Sequence, residues 1–190
     1  MYQKYQPDAL ILGGRERGEN DRVFVLYTAN FGLVRARASA VRSEKSRMRY
    51  ALQNYARVNA SLVRGKRGWR MAGASAVKNA CGDRRGIAAF ARISELTVRL
   101  VHGEEKNDYL FAALAEAHDA LMRENVGAFA TIEIVCVARV LYALGYLSTE
   151  ALSAALFTHT AYTGEHLVEA ETMKDQLLSS INKAIAETQL

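Results

Sequence analysis

Two cysteines in 190 residues, Cys81 and Cys136, are too few for a disulfide framework, and each stands alone rather than in the close pairs a structural zinc favours. They fit a reducing compartment. No stretch approaches the ~20 uninterrupted apolar residues of a membrane-spanning helix. The opening MYQKYQPD is too polar for a secretory signal. These shortages point to a cytoplasmic protein that makes no use of a membrane. Catalytic signatures are missing too. There is no GxSxG elbow, neither cysteine has a histidine close in sequence, and the Gly13-Gly14-Arg15 and Gly65-Lys66-Arg67-Gly68 turns lack the Walker pattern. The carboxylate pairs Glu19/Asp21 and Glu104/Glu105 suit turns and charge pairing. His159 and His166 lie seven apart with no cysteine near, and His102 and His118 fall in or near helical stripes, where packing is the commoner role. The sequence therefore predicts no catalytic residue, no metal and no cofactor, and a binding protein rather than an enzyme.

Acid is scarce in one place. Between residues 35 and 49 stand Arg35, Arg37, Arg42, Lys45, Arg47 and Arg49 against a single acid, Glu44. The whole chain carries +5, yet residues 1–70 hold 15 Lys and Arg against 5 acids, a net +10, and residues 71–190 hold 10 against 15, a net −5. Such a split suggests a basic module for a polyanion joined to a more acidic module with another task. Half of the residues are hydrophobic, which is enough for a sizeable core.

The first part of the chain alternates as strands do. Residues 9–12 are a short apolar run that the Gly13-Gly14 pair ends or bulges. Residues 23–28 are β-branched and aromatic with apolar side chains on both faces, as in a barrel strand. After the turn chemistry of Asn30-Phe31-Gly32, residues 33–42 place Val34, Ala36, Ala38 and Ala40 on one face and Arg35, Arg37 and Ser39 on the other. Residues 56–64 repeat the pattern, with Val58, Ala60 and Leu62 inward. The glycine-flanked turn at Lys66-Arg67 leads to a last strand with Trp69, Arg70 and Met71. Five short strands with glycines at their corners predict a small closed barrel of the OB type.

After Gly82 the period becomes helical. Ile87, Phe90, Ala91, Ser94, Val98 and Val101 form one stripe. A second helix begins near Asn107 or Asp108, with Leu110, Phe111, Leu114, His118 and Leu121 in line. A third, over residues 129–144, is apolar nearly all round and so central, with Gly145 as its C-cap. Ser148 is expected to cap a short helix through Phe157. Residues 158–170 show no periodicity and read as loop, and a last helix is expected from about Glu171. The fold class is thus α+β: an OB-fold barrel over residues 1–78 and an all-α domain over residues 79–190.

Guanidinium groups bind phosphates bidentately and stack on bases. The candidate nucleic-acid-binding residues are Arg35, Arg37, Arg42, Lys45, Arg47 and Arg49, extended by Arg64, Lys66, Arg67 and Arg70 if the last hairpin lies beside them. Among the interleaved aromatics, Tyr27 and Trp69 suit the barrel core, and Tyr50, within the basic loop, is the candidate for stacking a base. Tyr55 is a further aromatic in this region. An OB barrel offers a shallow groove, which favours a single strand.

These residues resemble the RecO family of bacterial recombination mediators. Gly18-Glu19-Asn20-Asp21 is similar to the family's Gly-Glu-Ser-Asp stretch. Leu26-Tyr27-Thr28 and Phe31-Gly32 match its Leu-x-Thr strand ending and Phe-Gly turn. ASAVRSEKSRMRYALQNY at residues 38–55 resembles AKGARRSKSRLRGALQPF, sharing Lys45, Ser46, Arg47, Arg49, Ala51, Leu52 and Gln53, with Ser39, Ala40, Tyr50 and Asn54 as departures. ARVLYALGYL at residues 138–147 is similar to the family's helix ending in Leu-Gly-Tyr. Many relatives then carry a four-cysteine zinc insertion; no cysteine follows Cys136 here, so no zinc site is carried over. The resemblance implies an OB-fold and a helical domain, binding of single- and double-stranded DNA, and annealing of complementary strands. It also implies a RecR-like partner protein, the C-terminal tail of single-stranded DNA-binding protein as a further partner, help in loading the RecA recombinase, and a nucleoid-associated cytoplasmic location. Two other readings of the basic face are an RNA-binding OB module and an adaptor for an acidic protein.

Overall fold

The computed structural model describes residues 3–44, 46–123, 126–148 and 152–187. Their contacts divide into two compact units, one of Met1–Cys81 with Ser94–Asn107, the other of Gly82–Ile93 with Asp108–Leu190.

The first unit is built on six strands: β1 (Lys4–Tyr5), β2 (Asp8–Arg17), β3 (Asp21–Thr28), β4 (Gly32–Ala38), β5 (Arg57–Gly65) and β6 (Gly68–Lys78). β1 and the start of β2 lie along the same edge of β5 in one register, with Tyr5 opposite Leu62 and Asp8 opposite Asn59. Pro7, which has no N–H to donate, separates them, while its carbonyl still accepts from the Ala60 N–H at 2.9 Å. β2 and β1 thus act as one long first strand. The register shifts between Ile11 and Gly13, so the glycine pair bulges the strand and does not end it.

Closure follows from five ladders among β2 to β6. β2, β3 and β4 form an antiparallel meander, β5 returns beside β2, and β6 pairs antiparallel with β5 and parallel with β4 at Ala36–Trp69 and Arg37–Arg70. The result is a closed five-stranded OB-type barrel with no open side. Its lining mixes small residues, with Ala9, Ala36, Ala38 and Ala60 fully buried, and larger ones, with Phe24, Leu26, Val34, Val58, Leu62, Trp69 and Met71. The alternation expected for β5 holds through Val58, Ala60 and Leu62. In β4 it holds only to Ala38. Ala40 is exposed at φ +51° and lies beyond the strand, because the chain turns there toward Asp21. A single helical turn, α1 (Met48–Ala51), buries Ala51 and Leu52.

Gly32 fixes the β3–β4 turn. It sits at φ +60°, and a Cβ there would lie 2.1 Å from the Glu105 carbonyl oxygen. Thr28 Oγ1 accepts from the Phe31 N–H at 3.0 Å and donates to the Gly32 carbonyl at 3.1 Å, closing the turn from inside.

The helix α2 (Arg84–Leu100) contributes residues to both units. Its buried positions are Gly86, Ala89, Phe90, Ile93, Ser94, Thr97 and Leu100, a face rotated from the expected stripe, of which Phe90, Ser94 and, just past the helix, Val101 are buried. The cause is Gly86: a Cβ there would lie 2.4 Å from the Leu121 carbonyl, so the helix backbone itself forms the contact.

In the second unit α4 (Phe129–Ala143) is central, packed by α3 (Asp108–Arg123), α5 (Ala155–Thr158), α6 (Gly164–Thr172) and α7 (Lys174–Glu187). With the preceding turn it makes an 18-residue stretch, Val126–Ala143, apolar enough by length and composition to cross a membrane. Glu133 and Arg139 interrupt it, and half of it is buried in the protein. Gly145 caps it at φ +78°, with its N–H bonded to the Tyr142 carbonyl and the Tyr146 N–H bonded to the Leu141 carbonyl.

Two helical expectations are corrected. Residues 158–170 are not all loop, because α6 starts at Gly164, capped by Thr163 Oγ1, which accepts from the His166 N–H at 3.3 Å. α6 buries only Ala170, so no apolar stripe marks it in the sequence. Glu171 belongs to α6, and the last helix begins at Lys174 and buries Leu177, Ile181 and Ala184. The short helix expected from Ser148 is limited to α5, which follows Ala154; residues 149–151 lie outside the described ones.

Candidate nucleic-acid interface

The pleat of β4 turns Arg35 and Arg37 outward because Val34, Ala36 and Ala38 fill the barrel. The parallel ladder then sets Arg37 beside Arg70 of β6, whose neighbours Trp69 and Met71 point inward. Between the end of β5 and the start of β6 the pairing of Gly65 with Gly68 leaves Lys66 and Arg67 as a two-residue tip, with Gly68 at φ +94°. Arg37, Lys66, Arg67 and Arg70 thereby meet around one cleft of about 500 Å³, floored by Val63 and Trp69. A fifth cation, Arg17, lines the same cleft. Sequence reasoning missed it, although a signal existed: Gly18 turns β2 into β3, so Arg17 falls opposite Asp21, which binds Arg37 of β4.

Asp21 organises the start of the basic loop. Its carboxylate accepts from the Ala40 N–H at 2.9 Å and from Arg37 Nε at 2.9 Å, and Arg37 Nη2 bonds to the same oxygen. The backbone bond from Ala40, then the Arg37 guanidinium, hold its pKa below the usual carboxylate range. Beyond Ala40, the Arg42 N–H bonds to the Asn20 carbonyl, and the Arg42 side chain turns to Glu16 at 3.0 Å.

The predicted cations therefore divide. Arg37, Arg42 and Arg64 each have a carboxylate partner: Asp21, Glu16 and, at 3.4 Å, Glu104. Arg64 also stands over the Trp69 ring, 5.4 Å from its centroid. Arg35, Arg47, Arg49, Lys66, Arg67 and Arg70 make no ion pair with a described residue, and neither does Arg17. Lys45 lies outside the described residues. Arg47 immediately precedes α1, Arg49 is exposed on it, and Arg49 covers the Tyr50 ring at 4.9 Å. Tyr50 is 64% exposed, whereas Tyr27 and Trp69 are core residues, Trp69 stacked edge-on to Tyr5. Tyr55 is half-buried at φ +65°.

The surface offers exposed cationic donors and the Tyr50 ring, one face of which Arg49 covers. Burial pushes the Cys136 thiol up to about 12, so it stays a protonated core residue. The His159 and His166 rings stack with centroids 6.2 Å apart, but no group of three or more metal-ligating side chains gathers among the described residues.

A closed OB-type barrel carrying unpaired cations on its outer surface defines the class of this protein's first module. Residues 1–78 match the family model described as "Recombination protein O N terminal". Over 62 residues, 33% of the chain, it is 39% identical to the DNA repair protein RecO of Desulfitobacterium hafniense (strain DSM 10664 / DCB-2), covering 23% of that protein. Over 117 residues, 59% of the chain, it is 30% identical to the DNA repair protein RecO of Pelotomaculum thermopropionicum, covering 45% of it. The corresponding protein of Myxococcus xanthus (strain DK1622) is 30% identical over 116 residues, with 48% of it covered. The chain spans less than half the length of the curated relatives it matches.

Proposed function

We propose that this protein acts in DNA repair as a non-enzymatic DNA-binding mediator that holds single strands on its barrel and promotes their annealing. The observation that carries the reading is the set of exposed cations at α1 and the β5–β6 hairpin that pair with no acid among the described residues, in a domain that matches the family model described as "Recombination protein O N terminal". Arg35, Arg47, Arg49, Lys66, Arg67 and Arg70 neutralise phosphates; Arg37 and Arg42 do so on exchanging their carboxylates for a strand. Tyr50 stacks a base. Cations on the protein lower the repulsion between two strands and leave base edges free to pair, so annealing needs no bond-making residue. A RecR-like partner, the tail of single-stranded DNA-binding protein and loading of RecA complete the proposed setting, in the cytoplasm at the nucleoid.

Phosphate contacts make such binding steeply salt-dependent. The test is annealing of two labelled complementary oligonucleotides by the full chain, without nucleotide or metal. Acceleration at stoichiometric protein, lost in the Arg47→Ala/Arg49→Ala variant, supports the mediator reading. Binding without acceleration leaves a plain binding module, and tighter binding of matched RNA than of DNA favours the RNA reading instead.

A further inference from the structure

Five cations around one cleft are a different arrangement from cations strung along a groove. We propose that the cleft at the β5–β6 hairpin is a phosphomonoester site that seats the phosphorylated end of a DNA strand. The proposal rests on the DNA-binding reading above and deepens it.

A strand's internal phosphates each carry one negative charge and are spaced along the backbone, so a surface built for them spreads its cations in a line. A terminal phosphomonoester carries about −1.5 to −2 at neutral pH and three acceptor oxygens on one phosphorus, so it rewards donors that converge. Arg17, Arg37, Lys66, Arg67 and Arg70 converge here from three strands and a hairpin tip. The cleft's volume of about 500 Å³ falls within the roughly 300–1,000 Å³ range of small-molecule sites. Asp21 engages Nε and Nη2 of Arg37, which fixes that guanidinium in place and leaves Nη1 for a ligand. Val63 and Trp69 complete the lining of the cleft. Lys66 and Arg67 form the exposed hairpin tip between the paired Gly65 and Gly68, at the rim of the cleft.

The experiment uses the full chain and one single-stranded oligonucleotide in three forms: unphosphorylated, 5′-phosphorylated and 3′-phosphorylated. Affinities are read by fluorescence anisotropy at moderate salt. One phosphorylated form is expected to bind at least about fivefold tighter than the unphosphorylated one, and which form it is identifies the end that is seated. The advantage should vanish in Lys66→Ala/Arg67→Ala and in Arg70→Gln, yet survive in Arg47→Ala/Arg49→Ala, where overall affinity falls. It should also fade as the pH drops through about 6, where the monoester regains its second proton. Equal binding of all three forms overturns the proposal and leaves the DNA-binding reading standing. So does a preference that persists in both hairpin variants. Failure of every form to bind at low salt overturns both.

Discussion

In the barrel unit Arg35, Arg47, Arg67 and Arg70 stand in solvent with no acidic partner among the described residues, while in the helical unit Arg139 is withdrawn from water altogether. Arg139 is 1% exposed. Its Nε donates to the Leu156 carbonyl and its Nη1 to the Thr160 carbonyl, both at 2.8 Å, and its guanidinium lies 4.7 Å from the centroid of the Tyr162 ring. The same side chain thus ties the segment after α5 to α4 in one unit and serves as an open donor in the other. Arg92 gives an intermediate case, held bidentately by Glu133 at 2.6 Å on both oxygens. The difference teaches that the charge split is more than a matter of counting. The acidic half gives Arg92 and Arg139 fixed internal partners, and the basic half leaves most of its candidate cations without an acid.

The largest effect should come from Arg139→Ala. Two buried carbonyls would lose their donors and a cavity would open beside Tyr162, at a cost of about 3–5 kcal/mol. Chemical denaturation of the full chain measures it, and a loss below about 1 kcal/mol would show that the guanidinium is no internal tie. Gly32→Ala comes next. The left-handed conformation alone costs about 1–2 kcal/mol for a residue with a Cβ, and the approach of the Glu105 carbonyl adds to it, for a total of about 2–4 kcal/mol. Thermal melts would show this as a lower Tm, and an unchanged Tm would mean that the turn readily rearranges.

Arg92→Ala should be mild, about 0.5–1 kcal/mol, because the pair is largely exposed despite its geometry. A cost several times larger would put Arg92 with Arg139 as an internal tie and blur the contrast. Asp21 supplies the smallest effect and a pH signature. Its folded pKa is lowered, chiefly by the Ala40 N–H and then by Arg37, so its contribution is present at neutral pH and is lost as the pH falls below its unfolded value near 4 and through its folded value. The difference in Tm between the native protein and Asp21→Asn should therefore shrink as the pH is lowered from about 6 to below about 3. A constant difference would mean that the carboxylate's charge is not what holds the loop.

The barrel was legible because its signals are local. Alternation in β4 and β5, the glycine corners and the arginines opposite alanines all follow from the pleat, and the pleat is visible in sequence. α4 was legible for a related reason, since a helix packed on several sides is apolar all round. What escaped depended on partners distant in sequence. Gly86 looks like a weak helix residue until Leu121 approaches it, and that approach rotates the buried face of α2. α6 buries only Ala170 and so leaves no stripe. At the candidate site, the residue types were readable and their division was not. Which cations are neutralised depends on Glu16, Asp21 and Glu104 arriving from elsewhere in the fold, and Arg17 joins the cleft only once β2, β3 and β4 are in register.

The central claim is that the free cations of the barrel bind DNA through its phosphates. The most direct measurement is the affinity of the full chain for a single-stranded oligonucleotide across a series of salt concentrations, repeated with Arg47→Ala/Arg49→Ala and with Lys66→Ala/Arg67→Ala. Each double variant should bind about tenfold more weakly near 0.1 M salt, with the slope of log K against log salt shallower by about 1.4, or about 0.7 for each phosphate that is no longer neutralised. A slope that neither variant changes, or no binding by the native chain at low salt, would contradict the account.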